Sequence, residues 1–188
     1  MAEGRDPEEF DRQRRRVLWS MPTGLFVVGS RHGERRNLMT ANWVMQVATV
    51  PKLVAVAVES TSLTRELIEM GGGFSVSVLP VSERAVIRRF VKPVRDVELD
   101  ADGVATALQG VPVHEVRGGL PCLSAARSWL SCVVRGTCGW EGIAPEPPSH
   151  VLFVGEVADV GESGLLEGGG TDDPRVLEMR DTRMNYGG

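Results

Sequence analysis

A cluster of short hydroxyl side chains separates a strand-like apolar run, residues 53–58, from a segment with helical spacing, residues 62–70. The cluster consists of Ser60, Thr61, Ser62 and Thr64. Hydroxyl groups and free backbone N–H groups at the first turn of a helix are well suited to bind a phosphate group. The pattern therefore predicts a phosphate-binding helix start, and simple helix capping is the alternative for Ser62 and Thr64.

Arg89 is a second candidate for phosphate binding. It lies in the next segment of helical spacing, where Ser82 is a plausible N-cap and the helix is predicted to extend to Val91. A guanidinium group can bind two phosphate oxygens at once. The alternative is an arginine on the solvent face of a surface helix, together with Arg84 and Arg88.

The elements that must position these residues are mostly strands. Strands are predicted at 25–29, 38–47, 53–58, 74–78, 129–140 and 151–160, and helices at 7–19, 62–70 and 82–91. Strand 74–78 alternates apolar residues with Ser75 and Ser77, which predicts one buried and one solvated face. Because strands follow one another instead of alternating strictly with helices, an antiparallel barrel is favoured over a parallel sheet.

The composition is that of an ordinary globular domain. The chain has 188 residues, of which 42% are hydrophobic and 24% charged, enough for one domain with its own core. A net charge of −4 argues against a nucleic-acid-binding protein. The sequence has no apolar run of membrane-spanning length and its first residues are charged, so a cytoplasmic protein without a membrane span is predicted.

Several common types of site are absent from the sequence. Cys122, Cys132 and Cys138 are odd in number and lack the paired spacing of structural zinc sites, so free thiols and no metal are expected. The chain also lacks the Rossmann Gly-x-Gly-x-x-Gly fingerprint and the Walker A Gly-Lys-Ser/Thr sequence. A separate nucleotide-binding domain is therefore not expected.

Eight short motifs occur in order between about residue 20 and residue 160. They are Pro22–Gly24, Met39–Asn42, Pro51–Val54, Ser62–Ile68, Gly72–Val76, Arg88–Phe90, Trp129–Cys132 and His150–Val157. In this order the chain resembles the flavin reductase-like family. The form of residues 42–47, Asn-Trp-Val-Met-Gln-Val, is more similar to the flavoredoxin-like branch of that family.

The resemblance implies a single domain that is mainly β with helices, an antiparallel split β-barrel of the FMN-binding type. Residues 1–19 would form an N-terminal helix or arm, and residues 20–162 the flavin-binding barrel. Residues 163–188 would be a C-terminal tail that docks on the barrel or on a dimer partner, or a flexible end. The resemblance further implies a homodimer with the flavin near the subunit interface.

The resemblance also implies roles for particular residues. The flavin ring would be held by Met39, Thr40, Ala41, Asn42, Trp43, Val47 and Ala48. The flavin phosphate would be held by Ser60, Thr61, Ser62, Thr64 and Arg89. Asn42 has the alternative of a polar residue on the solvent face of a strand, and Trp43 that of a plug in the barrel. His150 would lie near the nicotinamide, where hydride transfer needs positioning more than acid catalysis, or it is only a strand-end residue.

The function that the resemblance implies is that of a flavin reductase. NADH or NADPH would reduce FMN or FAD by hydride transfer to flavin N5, and the reduced flavin would pass to a partner monooxygenase. A flavoredoxin-like FMN electron carrier and a split-barrel flavoenzyme acting directly on an organic substrate are alternatives. A flavin-binding module without turnover is a further one. Neither nucleic acid nor a membrane is expected as a partner.

Overall fold

The computed structural model describes residues 6–140, 148–162 and 175–182, and within these ranges the chain is mainly β. The predicted fold class is confirmed, since every strand pairing is antiparallel and two α-helices accompany the sheets. The helices are α1 (Pro7–Trp19) and α2 (Leu63–Gly71). The strands are β1 (Phe26–His32), β2 (Arg35–Ala41), β3 (Val44–Ala48), β4 (Leu53–Glu59), β5 (Gly73–Val78), β6 (Val97–Leu99), β7 (Ala105–Leu108), β8 (Val111–Val116), β9 (Leu120–Leu123), β10 (Ser128–Cys138) and β11 (His150–Glu162).

The strands form two sheets, of which the larger has seven strands. Its order is β2-β1-β5-β10-β11-β4-β3, and the smaller sheet has the order β6-β7-β8-β9. The two edge strands of the larger sheet, β2 and β3, are joined only by Asn42 and Trp43. Because so short a connection holds the two edges together, the sheet curls into a barrel that is split along this seam. The barrel interior is filled by an apolar cluster that includes Val28, Val56, Phe74 and Phe153.

The single strand predicted over residues 38–47 is wrong, because the chain changes its pairing partner within it. Ala41, at the end of β2, lies opposite Phe26 of β1, whereas Val44, at the start of β3, lies opposite Val56 of β4. Both halves have strand-like sequences, so periodicity does not reveal the corner between them. That corner lies where the two edges of the sheet meet.

Helix α2 begins where its sequence predicts and ends one residue beyond its predicted end. Ser62 is the N-cap, and its Oγ accepts a hydrogen bond of 3.2 Å from the N–H of Arg65. Gly72 ends the helix in the left-handed region, with φ of 70°. Leu67 and Ile68 are fully buried, so the apolar face of α2 packs against β1 and β2.

The helix predicted over residues 82–91 is replaced by two short 3₁₀ turns, Val81–Glu83 and Val86–Phe90. Ser82 does not cap them, since Pro80 holds the N-cap position of the first turn. Thr40 Oγ1 donates a hydrogen bond of 2.6 Å to the carbonyl of Ile87. In an α-helix this carbonyl would pair with the N–H of residue 91, so the tertiary contact competes with helix formation.

Strand β5 is buried on both faces, which corrects the prediction of a solvated face for Ser75 and Ser77. The smaller sheet covers the outer face through β9. Ser75 Oγ donates to the carbonyl of Pro121 (2.6 Å), and Ser77 Oγ accepts from the N–H of Leu123 (3.1 Å). The serines thus satisfy backbone groups of β9. The covering sheet is formed by strands within residues 97–123.

Part of the C-terminal segment packs against the barrel domain. Leu177 is 1% exposed, and its backbone bonds to Leu25 and Leu79 at 3.0 and 2.8 Å. The rest of the predicted tail, residues 163–174 and 183–188, lies outside the described residues.

At the other end of the chain, α1 buries none of its side chains. Among the described residues, no helix combines the length and the apolar character that a membrane span requires.

Candidate functional site

A cavity of about 270 Å³ opens beside the seam of the barrel. The end of β2, the corner before β3, the end of β4, the start of β11 and the second 3₁₀ turn contribute to its walls. Its lining consists of Met39, Thr40, Ala41, Asn42, Trp43, Ala57, Glu59, Phe90, Val91 and His150. The structure therefore brings together six of the predicted site residues, the run 39–43 and the distant His150.

The backbone of β2 supplies hydrogen-bonding groups to this cavity. As an edge strand, β2 pairs only with β1 in the larger sheet. In such a strand every second residue directs its N–H and C=O away from the neighbouring strand. Main-chain donors and acceptors along residues 39–41 therefore face the cavity side of the seam. A planar ring with donors and acceptors on its edge is a suitable occupant for such a wall.

Trp43 and His150 form an aromatic contact at one side of the cavity. Their ring centroids lie 4.7 Å apart with an interplanar angle of 68°. The carbonyl of Trp43 accepts from the N–H of Ala57 (3.0 Å), and the carbonyl of His150 accepts from Nε1 of Trp140 (2.8 Å). The backbones of both residues are thus held in place beside the cavity. Trp43 remains 41% exposed, so it lies at the cavity mouth instead of plugging the barrel.

The imidazole of His150 favours the neutral form. Burial lowers its pKa from the ordinary value, and the nearby carboxylate of Glu59 offsets this effect in part. Ser149 Oγ lies 2.8 Å from its Nδ1. A neutral ring brings no positive charge to the cavity that it lines.

Thr40 and Asn42 differ in whether their side chains can still form a hydrogen bond to a ligand. Thr40 is 6% exposed, and its hydroxyl is engaged with the carbonyl of Ile87. Asn42 is half-buried, and within residues 6–140, 148–162 and 175–182 its amide has no hydrogen-bond partner. Of the two, only the Asn42 amide is free to bind a ligand.

The predicted phosphate-binding residues lie next to the cavity in the chain but do not line it. Glu59 belongs to the cavity wall, and the hydroxyl cluster begins at the following residue. Ser62 Oγ caps α2 and donates to the carbonyl of Glu59 (2.8 Å). Thr64 is 1% exposed, and its hydroxyl accepts from Nδ2 of Asn37 (2.8 Å). These two hydroxyls are therefore engaged in the fold, while Ser60 is half-buried and Thr61 exposed at the start of the helix.

Three other predicted residues also lie outside the cavity lining. Val47 and Ala48 are on β3, and the side chain of Val47 is 46% exposed. Arg89 directs its guanidinium toward the carbonyl of Gln109, at 3.5 Å. The sequence reasoning missed four lining residues, namely Ala57, Glu59, Phe90 and Val91. Phe90 belongs to the Arg88–Phe90 motif, which was the available signal for it.

A second groove lies along the same 3₁₀ segment and has a volume of about 600 Å³. It is lined by Arg84, Ala85, Ile87, Arg88, Asp181 and Thr182. No group of three or more His, Cys, Asp or Glu side chains suited to a metal ion occurs in the part of the chain that the structure describes. The candidate site is the cavity at the barrel seam, and a groove with two arginines in its lining lies along the same 3₁₀ segment.

Comparison with known proteins gives a family match over most of the chain. The family described as "flavin reductase like domain" matches residues 18–177. The high molecular weight rubredoxin of Moorella thermoacetica is 29% identical over 159 residues, covering 81% of this chain and 61% of that protein. This chain thus spans less than two thirds of the length of that relative. The NADH-dependent FMN reductase AsuE2 of Streptomyces nodosus subsp. asukaensis is 30% identical over 146 residues, covering 78% of this chain and 72% of that protein.

Solved structures show the same fold. The NADH:FAD oxidoreductase SgcE6 of Streptomyces globisporus superimposes with a TM-score of 0.64 at 26% identity, covering 87% of this chain and 83% of that one. The same protein has been solved in complex with NAD and FAD fragments.

Proposed function

Because the chain belongs to the flavin reductase-like domain family, we propose that it is an NAD(P)H:flavin oxidoreductase. The observation that carries the proposal is the seam cavity, in which residues 39–43 of the family motif meet His150. Relatives named as an NADH-dependent FMN reductase and as an NADH:FAD oxidoreductase support it. The family resemblance inferred from eight motifs is confirmed by the match over residues 18–177.

The residues of the cavity fit a flavin ring. The edge of β2 offers main-chain donors and acceptors, Asn42 offers an uncommitted amide, and Phe90 and Trp43 offer apolar surface. A flavin bound there would accept a hydride at N5 from nicotinamide C4, so that the nicotinamide is oxidised and the flavin reduced. The protein's own contribution is to hold the two rings in contact and to limit access of water.

His150 is proposed to position the nicotinamide through contact and one hydrogen bond. Its lowered pKa keeps the ring neutral near pH 7, so it does not repel the positive charge that the nicotinamide carries after hydride transfer. The contact with Trp43 fixes the plane of the imidazole. We assign no proton transfer to His150.

The flavin phosphate is proposed to bind at the start of α2. Since the Ser62 and Thr64 hydroxyls are engaged in capping and in a bond to Asn37, the backbone N–H groups of the first turn and the hydroxyls of Ser60 and Thr61 are the main candidates. The positive end of the helix dipole adds to the attraction. Arg89 remains a proposed ligand only if its guanidinium leaves the carbonyl of Gln109.

A homodimer is proposed from the surface of β3. Met45 is 65% exposed, Val47 46% and the adjacent Val50 91%, and all three lie on or beside the edge strand at the seam. Large apolar side chains on an edge strand are commonly covered by another chain. Light scattering at micromolar protein concentration is expected to give the mass of a dimer, and the mass of a monomer would reject the homodimer.

A monooxygenase that consumes the reduced flavin is proposed as the downstream partner.

Anaerobic stopped-flow absorbance tests the proposed activity. The protein is mixed with FMN or FAD and then with NADH or NADPH, and the absorbance of oxidised flavin is followed. Rapid bleaching, with flavin that is removed by a desalting column, is the expected result. A yellow protein that keeps its flavin and is not bleached by either nucleotide would reject the reductase and favour an electron carrier.

A pair of alanine variants tests whether the seam cavity is the site. Ala57 lines the cavity, and Ala57→Leu adds three carbons to its wall. We expect this variant to lose flavin binding and bleaching. Ala107→Leu makes the same change on β7, outside the cavity, and should keep both. Equal activity of the two variants would place the site elsewhere.

A further inference from the structure

The 3₁₀ segment that forms one wall of the seam cavity forms one wall of the second groove as well. Phe90 and Val91 line the cavity, whereas Arg84 and Arg88 line the groove, of about 600 Å³. The two linings also touch directly, because Oγ1 of Thr40, in the cavity wall, donates a hydrogen bond of 2.6 Å to the carbonyl of Ile87, in the groove wall. The cavity and the groove are therefore neighbours at this contact.

The groove carries positive charge that the fold does not use. Arg84 and Arg88 are exposed, and neither makes an ion pair or a side-chain hydrogen bond within residues 6–140, 148–162 and 175–182. By contrast, Arg31 and Arg36 both pair with Glu115. Two unpaired guanidinium groups lining one groove form a site for an anion with several oxygens.

The lining of the groove also includes the carboxylate of Asp181. Asp181 Oδ2 accepts a hydrogen bond of 2.9 Å from the N–H of Glu178, and Oδ1 lies 3.9 Å from the guanidinium of Arg175. Thr182 lies beside it. A carboxylate can accept hydrogen bonds from ribose hydroxyls, and it repels a further phosphate placed on that ribose. The groove thus combines phosphate-binding cations with a sugar-binding edge.

Resting on the proposed function, we propose that this groove binds the adenylate half of FAD, so that the enzyme prefers FAD to FMN. The two arginines bind phosphate oxygens, and a guanidinium plane stacks well on an aromatic heterocycle such as adenine. Asp181 disfavours the 2′-phosphate of NADPH, which makes the groove better suited to an unmodified adenylate. FMN has no adenylate half, so the groove does not increase its binding affinity.

Flavin binding to the full chain tests the proposal without turnover. Dissociation constants for FAD and FMN are measured by quenching of flavin fluorescence. We compare the wild type with Arg84→Gln/Arg88→Gln and with Lys92→Gln/Arg95→Gln, a control that removes two exposed cations of the neighbouring segment outside the groove. A second measurement, on the wild type alone, adds ADP as competitor in titrations with each flavin.

The expected result is a preference for FAD of about tenfold or more in the wild type, since charge-assisted hydrogen bonds to phosphate are lost with FMN. The groove variant should lose that preference through weaker FAD binding, while FMN binding stays within about twofold. The control should keep the preference. ADP should weaken FAD binding and leave FMN binding unchanged, and this result stands even if the double variant does not fold.

Three results would overturn the proposal. They are equal wild-type affinities for the two flavins, equal weakening of both flavins in the groove variant, and no effect of ADP on FAD binding. If both flavins bind equally and are reduced by NADH, the groove proposal fails while the reductase proposal stands. If neither flavin binds, both proposals fail.

Discussion

Trp43 and His150 meet edge to face with ring centroids 4.7 Å apart, although one lies at the corner between β2 and β3 and the other begins β11. The contact joins the seam of the barrel to the start of β11. It forms one side of the cavity that we propose as the flavin site.

Removal of the Trp43 ring is expected to weaken flavin binding. An aromatic pair contributes about 0.5–1.5 kcal/mol beyond its buried area, so Trp43→Ala should raise the flavin Kd by several-fold. Fluorescence titration with FAD and FMN measures the change. Trp19→Ala, which removes a half-exposed tryptophan of α1 outside the cavity, is the matched control. If both variants bind flavin like the wild type, Trp43 has no part in the site.

Asn37 is expected to couple α2 to the segment after the 3₁₀ turns. Its Nδ2 donates to Thr64 Oγ1 and its Oδ1 accepts from the N–H of Val94, both at 2.8 Å. Asn37→Ala leaves two buried groups without a partner and should lower the free energy of unfolding by about 2–4 kcal/mol. Urea denaturation measures this loss.

A double-mutant cycle with Thr64→Val separates the Asn37–Thr64 bond from the rest of the effect. We expect a coupling energy of about 1 kcal/mol between the two positions. Additive losses would mean that the bond does not contribute to stability. Flavin affinity measured on Thr64→Val also tests the role of this hydroxyl, and an unchanged Kd is expected because the side chain is buried.

Glu115 is expected to be the most sensitive charge in the described part of the chain. Its carboxylate binds Arg36 at 2.6 Å and Arg31 at 2.7 Å, and the Arg36 side chain is only 2% exposed. Glu115→Gln leaves this buried guanidinium without its counter-charge, which should cost about 3–5 kcal/mol of unfolding free energy.

Glu66→Gln is the control for the Glu115 experiment, since the pair of Glu66 with Arg35 is about half exposed on both sides. Exposed pairs contribute little to stability, so only a small change is expected. Similar losses in the two variants, both measured by urea denaturation, would contradict the buried network.

Stability is expected to fall as the pH drops below neutrality. Burial lowers the pKa of both His114 and His150 in the folded state. From about pH 6.5 downward the unfolded chain therefore binds more protons than the folded chain, and the free energy of unfolding decreases until the lowered pKa values are reached. Urea denaturation at several pH values should show this slope. It should be shallower in His114→Gln/His150→Gln, and an equal slope in both proteins would reject the histidines as its source.

The thiols are expected to differ sharply in reactivity. Burial raises the pKa of Cys132 to about 12 and also raises that of Cys122, whereas Cys138 is half-buried near the end of β10. A thiol reagent such as DTNB should therefore modify one cysteine in the native protein and all three in urea. Cys138→Ser should remove the native reaction. Fast modification of two or more native thiols would be the contrary result.

The sequence predicts the local elements well where their signals lie within a few residues. The span of α1, the Ser62 cap of α2 and most strands are in the predicted places, and α2 ends one residue beyond its predicted end. The helix predicted to end at Val91 fails because Thr40 binds the carbonyl of Ile87, a contact from another strand. The spacing of apolar residues within a segment carries no information about a competing hydrogen bond from a residue that is distant in the chain.

The candidate site was likewise predictable where its residues are neighbours in the chain and not where they are distant from one another. Residues 39–43 were predicted as a group because they form one contiguous motif, and they do line one cavity. Thr64 was also predicted from a local pattern, yet its hydroxyl is buried against Asn37. Glu59 and Val91 carry no sequence signal of their own and join the site only because β4 and the 3₁₀ segment pass it.

The amino-acid sequence alone indicates the spacing of apolar residues, the helix caps, most of the strands and the family to which the chain belongs. The seam between β2 and β3, the contact of Trp43 with His150, and the groove shared by Arg84 and Arg88 become visible only in the folded chain. The difference lies in the distance along the chain over which each interaction acts. Propensities and caps act between residues close in the chain, whereas strand pairing and core packing select which distant side chains converge.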